Sequence, residues 1–389
     1  MKILFICDYY DDSQLYQEPM LSKYYRHLGH KVYIITSHHK DVFNYVSEKN
    51  VKVNFKETVL GRYGEIIYRL PYTINVLNKI KKFSNIFSIL DEVAPDMVFL
   101  HDISFNLHEV IKYKRKNKSI KIIMDYHADY SNSGKNWVSI NILHRIIRKR
   151  YLHFYLKHID KIFPIVPHGA KFLNEIYSIE NNRMEILPLG VDTLAVEEIK
   201  SNIKDYKKQI LSKYNINENA LLLVSGGKLD ELKKTDLLIQ AMGNLPSNVH
   251  LLLFGKPTTE KYKLYLEKLS EGLNVHFIGW ITAEETLKLY LISDIAVFPA
   301  SQSVLWQQAI GAGLPLLVGD SGGQSAEYMN KNNNIIVVDK ENLNVNTFSN
   351  ILTELIRDER KRKNMSEGAV LTTKTYLDYK IIAEKTLIV

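Results

Sequence analysis

One stretch constrains the fold more than any other: residues 221–241, which read LLLVSGGKLDELKKTDLLIQA. It opens on the apolar run Leu221 to Val224, the kind of run that parallel sheets bury on both faces. Ser225, Gly226 and Gly227 then break the run. Two adjacent glycines allow the backbone to turn sharply and to approach a ligand closely. Lys228 and Lys233 follow, and a helix pattern runs over residues 235–242. A strand, a glycine turn, two cations and a helix start are the parts needed to hold a diphosphate. The same residues also suit an ordinary strand-to-helix turn with two solvated lysines.

The alternation of apolar runs and helix patterns continues along the chain, so an α/β fold built on parallel sheets is expected. Residues 2–7 and 32–36 read as strands on either side of a helix stopped by Gly29. The polar loop 8–18 then lies at the carboxyl end of the first strand, where such sheets bind ligands, and is expected to face a cleft. Further strands are expected at 97–101, 120–125 and 161–166. His127, flanked by Asp125 and Asp129, sits just past the second of these. Residues 141–158 give a basic, aromatic-rich helix pattern with Arg145, Arg148, Lys149, Arg150 and Lys157. A charged segment, 197–219, reads as a linker plus a helix. Strands follow at 221–224, 249–254, 275–278, 294–298, 314–318 and 335–338, and residues 344–389 read as helices only. The length of 389 residues suits two domains.

Composition narrows the class. Hydrophobic residues make up 46% and charged residues 24%, enough apolar material for a large core. The single cysteine, Cys7, excludes an internal disulfide and fits a reducing compartment. The first apolar run is too short for a signal peptide and meets Asp8. No run approaches the roughly 18 residues of a membrane span. A cytoplasmic location is therefore expected. The basic helix at 141–158 would touch anionic lipid at the inner face of the membrane, or be a domain helix with a solvated face. The net charge of +8 favours anionic partners. No nucleic-acid-binding motif occurs, and no nucleic-acid partner is expected.

A second informative stretch spans residues 294–323. A strand reaches Ala300, a serine-rich turn follows, and Ser303 is placed to cap a helix over 304–312. The first amides of that helix, from Val304, are donors at the positive end of its dipole, where an anion can dock. The alternative is a capped helix of any doubly wound sheet. Gln308 lies about one and a half turns into the helix, near enough to meet a ribose, although a lone Gln there is commonly solvated. Trp280, after a strand end, can lie against a base or simply pack. No cysteine is near His127 and no HExxH spacing exists, so no metal is expected. No Asp-x-Asp occurs, so the lysines must neutralise a diphosphate without one.

These stretches together resemble a family, the GT-B glycosyltransferases of the large retaining class that includes family 4. Met-Lys-Ile-Leu-Phe-Ile with Leu-Gly-His-Lys-Val-Tyr-Ile-Ile-Thr is similar to its first βαβ unit. Leu187-Pro-Leu-Gly-Val-Asp192 is similar to its start of the second domain. Gly227-Lys-Leu with Lys233 resembles its donor-phosphate motif, with Lys228 where Arg is usual. Gln308-Ala-Ile-Gly-Ala-Gly-Leu-Pro315 resembles its glutamate-alanine-x-alanine-x-glycine-x-proline signature, which the segment ending in Glu327 extends. Two departures stand out. The family's pair of glutamates is here Ala300 and Gln308, with Ser301 or Gln302 as the replacement hydrogen-bonding group. Tyr16-Gln17-Glu18 replaces its paired glycines.

The resemblance implies two Rossmann-like domains facing a central cleft. Residues 1–192 would form the acceptor domain and 193–370 the nucleotide-sugar domain, with a helix over 371–389 packing back on the first. It implies His127, Lys228 and Lys233 as catalytic residues. It implies Gly226, Gly227, Trp280, Ser301, Ser303, Val304, Gln308 and Glu327 as donor-binding, and Tyr16, Glu18 and Asp129 as acceptor-binding. The implied reaction moves a sugar from a nucleotide diphosphate, UDP being expected, to a glycan or lipid-linked glycan with retention and without metal or cofactor. The missing glutamates keep open a non-catalytic subunit that binds a partner enzyme or a glycan.

Overall fold

A computed structural model describes residues 1–41, 55–300, 304–321 and 325–389. The chain divides into two compact units. The first comprises Met1–Pro188 with Ile382–Val389, and the second Leu189–Ile381.

The first unit is built on a seven-stranded sheet. Its strands are β1 (Lys2–Ile6), β2 (Lys31–Thr36), β3 (Glu57–Leu60), β4 (Ile66–Arg69), β7 (Met97–His101), β8 (Lys121–Tyr126) and β9 (Lys161–Pro164), in the order β3-β4-β2-β1-β7-β8-β9. All pair in parallel except β3 with β4. The central strands bury both faces, as their unbroken apolar runs require. On β1, Leu4 and Ile6 enter the main core cluster. Phe5 points the other way, onto Tyr25 of helix Gln17–His27 and stacked 4.8 Å from Phe99. Between β4 and β7 the chain adds a hairpin, β5 (Tyr72–Val76) with β6 (Ile80–Phe83), anchored by stacked Tyr72 and Phe83 rings. Sequence reasoning assigned nothing to residues 55–83. These strands are short and mixed in polarity, and their pairing is what makes them strands. The expected helix at 141–158 begins earlier, at Ser139, and runs as a π-helix to Arg148 before continuing as an α-helix.

The second unit holds a six-stranded parallel sheet. Its strands are β10 (Leu221–Leu229), β11 (Val249–Pro257), β12 (Val275–Gly279), β13 (Ile295–Phe298), β14 (Leu316–Gly319) and β15 (Ile335–Val338), in the order β12-β11-β10-β13-β14-β15. Alternate residues feed two cores, one on each face. Leu222, Val224, Leu252 and Phe254 lie in one, Leu223, Leu251 and Leu253 in the other. The charged segment 197–219, expected as a linker plus a helix, holds the end of one helix, Thr193–Lys200, which Asp192 caps, and a second helix, Ile203–Lys213. Among the described residues, no helix is long and apolar enough to cross a membrane.

One sequence expectation is corrected here. The glycines at 226 and 227 do not end the strand, because β10 stays paired with β11 through Leu229↔Pro257. Gly227 and Gly255 face each other across that pair with φ of 108° and 114°, a region that L side chains avoid. A Cβ on Gly255 would fall 1.8 Å from the Gly227 carbonyl oxygen. Gly255→Ala is therefore expected to cost at least about 3 kcal/mol from backbone strain and overlap, read by urea unfolding.

Candidate active site

In each unit the relevant side chains gather at the carboxyl ends of the parallel strands, where such sheets place ligands. In the first unit, the parallel register of β7 and β8 sets His101 beside Asp125. The His101 Nδ1 atom lies 3.2 Å from Asp125 Oδ2 and 2.9 Å from Glu18 Oε1, at the start of helix Gln17–His27. His127 Nε2 meets the same Asp125 oxygen at 3.1 Å, and the two imidazoles lie 4.3 Å apart. The second Asp125 oxygen accepts from the Asp102 amide at 3.1 Å, and Asp102 in turn accepts from the His127 amide.

Electrostatics follow from that packing. Asp125 is fully buried; burial alone would raise its pKa, but the His101 and His127 rings hold it well below the carboxylate range. Glu18 behaves alike: burial opposes its charge and His101 outweighs it, leaving the pKa lowered. His101 shows the reverse. Burial disfavours its cation, yet Asp125 and Glu18 raise its pKa well above the ordinary value. His101 is thus an imidazolium held between two carboxylates. Sequence reasoning passed over it, although its place at the end of an apolar run is the signal that marked His127. The ligand atoms of His101, Asp125 and His127 all lie within 4.8 Å of one another and could hold a metal ion. The separation of 24 residues between His101 and Asp125 hides that grouping in the sequence.

The other first-unit candidates are placed differently. Asp129 is buried, and its Oδ1 accepts from the Ser131 amide at 2.7 Å and from the Asn132 amide at 3.1 Å. Its carboxylate thus holds its own loop. Tyr16 is exposed at the N-cap of helix Gln17–His27.

In the second unit, Gly226 and Gly227 lie within β10, and Lys228 follows them with an exposed ammonium. Asp230 Oδ2 lies 3.6 Å from that ammonium, while Oδ1 accepts from the Lys233 amide at 3.2 Å. Asp230 therefore caps the short turn Glu231–Lys233 and sits between the two lysines. Burial lowers the Lys233 pKa, Asp230 raises it, and the Lys228 charge lowers it further, so the two cations share one neighbourhood. The helix at 304–312 also lies here, as Leu305–Gly311. Leu305 at its start packs so close to Gly227 that a Cβ there would lie 3.0 Å from its methyl.

Val304, at the N-cap of this helix, is exposed and provides no side-chain cap. Ser301 and Ser303 lie outside the described residues. Gln308 is half-buried, Ala300 is buried, and Gln307, next to Gln308, donates to the Tyr328 hydroxyl at 3.1 Å. Trp280 is 76% exposed just past β12. Glu327 is exposed on a short turn, where its carboxylate accepts from Asn330.

Comparison with known proteins defines the class. Residues 20–194 match the family described as Glycosyltransferase Family 4, and residues 207–371 match Glycosyl transferases group 1. The chain belongs to the group 1 glycosyltransferases. It is 21% identical over 211 residues to a D-inositol 3-phosphate glycosyltransferase of Xylanimonas cellulosilytica, covering 51% of this chain and 49% of that protein. It is 22% identical over 316 residues to a sulfoquinovosyl transferase of Arabidopsis thaliana, covering 77% of this chain and 55% of that protein. The chain thus spans about half the length of the curated relatives it matches. The structure of HepE from Anabaena in complex with UDP and glucose matches 100% of this chain and 98% of its own, at TM-score 0.66 and 13% identity. The shared fold is GT-B, with two Rossmann-like domains.

Proposed function

We propose that this chain transfers a sugar from a nucleotide diphosphate, UDP-linked, to a glycan or lipid-linked glycan. The observation that carries this reading is the pair Lys228 and Lys233 beside Asp230, at the glycine-lined end of β10 and next to the start of helix Leu305–Gly311. Burial and the Lys228 charge together disfavour the Lys233 ammonium more than Asp230 favours it, and a diphosphate beside both lysines offsets that cost. HepE, a protein of the same fold, binds UDP and glucose.

The chemistry asks for little else. The bond from the sugar's anomeric carbon to the phosphate oxygen breaks, and a bond to the acceptor oxygen forms. The departing diphosphate takes the acceptor's proton, so no separate base carboxylate is required. Lys228 and Lys233 stabilise the charge that grows on the leaving group. The contact of His127 Nε2 with Asp125 at 3.1 Å orients the ring and leaves Nδ1 to meet a hydroxyl of sugar or acceptor. Glu18 and Tyr16 lie on the acceptor side in this reading. Gly226, Gly227, Trp280, Val304, Gln308 and Glu327 serve the donor, with Ser301 and Ser303. Retention of configuration belongs to the same proposal, as does independence from metal and cofactor.

A second reading is favoured by the pair Ala300 and Gln308, which places no carboxylate where the family carries two. It is a non-catalytic subunit that binds a partner enzyme or a glycan. Incubation with a panel of UDP-sugars separates the two, with UDP release measured by a coupled assay in the presence of EDTA. Enzyme-dependent UDP release, even as slow hydrolysis, is the expected result. The absence of nucleotide binding by calorimetry supports the second reading. Activity lost to EDTA and restored by Zn²⁺ would instead give His101, Asp125 and His127 a metal role.

A further inference from the structure

The β5–β6 hairpin and the helical segment 139–158 share one surface of the first unit. The Arg148 guanidinium donates to the Lys79 carbonyl at the hairpin turn at 2.9 Å. That turn is closed by the Lys79 amide on the Val76 carbonyl at 2.9 Å, with Leu77 and Asn78 at φ of 51° and 57°. Two central residues at positive φ make the mirror-image turn that suits hairpins, which glycine and asparagine favour and leucine resists. Leu77 occupies the strained position and is 87% exposed, with Val76 and Ile74 exposed beside it. Strain that holds a large apolar side chain out in water has no purpose in solution. It gains one if the tip enters an apolar phase.

The neighbouring helix repeats the pattern. Val138, Ile142, Ile146 and Phe154 recur at four-residue spacing or its multiple and are all exposed, Phe154 by 71%, with Trp137 exposed by 69%. The inner face is occupied instead by His144, which bonds Tyr177 and Ser133. Residues 130–158 contain no Asp or Glu, but carry Lys135, Arg145, Arg148, Lys149, Arg150 and Lys157. Residues 70–84 contain none either. Apolar side chains projecting between cations, with no acidic residue among them, complement an anionic lipid surface.

We propose that the β5–β6 tip and the outer face of residues 137–154 insert together into the headgroup region of an anionic phospholipid bilayer, as a two-element anchor. The anchor does not rest on the transfer reaction, and its test involves no turnover.

The full chain is sedimented with vesicles of phosphatidylcholine alone and of phosphatidylcholine with phosphatidylglycerol. Binding is expected to the anionic vesicles and to weaken with salt. Leu77→Asp combined with Ile146→Glu is expected to lower partitioning by about tenfold or more, and Arg145→Glu with Arg150→Glu to remove the preference for anionic lipid. Trp137 emission shifts to the blue on binding, and Trp137→Phe abolishes that shift. Every substituted side chain is exposed, so thermal unfolding should barely move. Phe154→Ser provides a milder variant should the charged ones misfold. Wild-type protein that fails to bind the anionic vesicles overturns the proposal, as does binding that these variants leave unchanged. A wild-type dimer that the same variants dissociate assigns the surface to a second copy of the chain, and also overturns it.

Discussion

Lys228→Ala is expected to lower kcat by about 10²–10³-fold, equivalent to about 3–4 kcal/mol, by analogy with the loss of one donor to a developing oxyanion. Lys233→Ala is expected to fall in the same range. The two side chains answer to one charge, through Asp230 as common neighbour. The double variant should therefore lose less than the product of the single losses, because interacting groups in one network are not additive. Lys228→Arg keeps the charge and restores most of the rate. Initial rates of UDP release with the best donor, measured for the four variants and the wild type, decide the matter. An unchanged rate in Lys228→Ala discards this residue from the donor site, and strict additivity separates the two lysines. Lys233 has a second readout. Burial and the Lys228 charge lower its pKa against the pull of Asp230, so the added negative charge of a bound donor should raise it. Donor affinity should then fall as pH climbs through the free-state value.

The second large effect concerns stability. Asp125→Asn removes the carboxylate, itself at 0% exposure, that His101 and His127 share, and leaves a half-buried imidazolium with one partner fewer. Breaking a buried pair from one side costs about 3–5 kcal/mol. The sign of the pH dependence follows from the directions of shift. His101 is raised above its ordinary 6.5, so its contribution is fully present below 6.5 and is lost as pH rises through the folded value. Asp125 and Glu18 are lowered from 3.8 and 4.5, so theirs is present above those values and is lost as pH falls through the folded ones. The network therefore stabilises most between about pH 4.5 and 6.5, and weakens on the alkaline side only past the raised value for His101. Urea unfolding at pH about 5, 7 and 9 should show this fall in the native protein and a flatter profile in Asp125→Asn. Equal profiles in both proteins would mean that His101 is not the charged centre of the group.

The two halves of the candidate site were not equally legible. The lysine stretch is local. Strand, glycines, cations and helix follow within about one βα unit, so spacing alone brought Lys228 and Lys233 together. Even so, two adjacent glycines read locally as a break in the strand. Only the pairing of Gly227 with Gly255, from a run some thirty residues away, makes them a place where two backbones approach too closely for any side chain. The histidine group is non-local. His127 stood out between two aspartates, but Asp129 turned out to hold its own loop, and His101 looked like the last residue of a strand. The hairpin at residues 72–83 offered no apolar period, so neither it nor its strained Leu77 was foreseen.

The sequence by itself determined the α/β class, the six strands of the second sheet, five of the seven in the first and the cationic glycine stretch, because apolar period and turn chemistry are written in neighbouring residues. Tertiary structure alone decided which strands lie side by side and in what register. That choice put Glu18, His101, Asp125 and His127 into one charged group and set Leu77 on the same surface as the basic helix. Pairing depends on burial shared between distant segments, and no single segment carries that information.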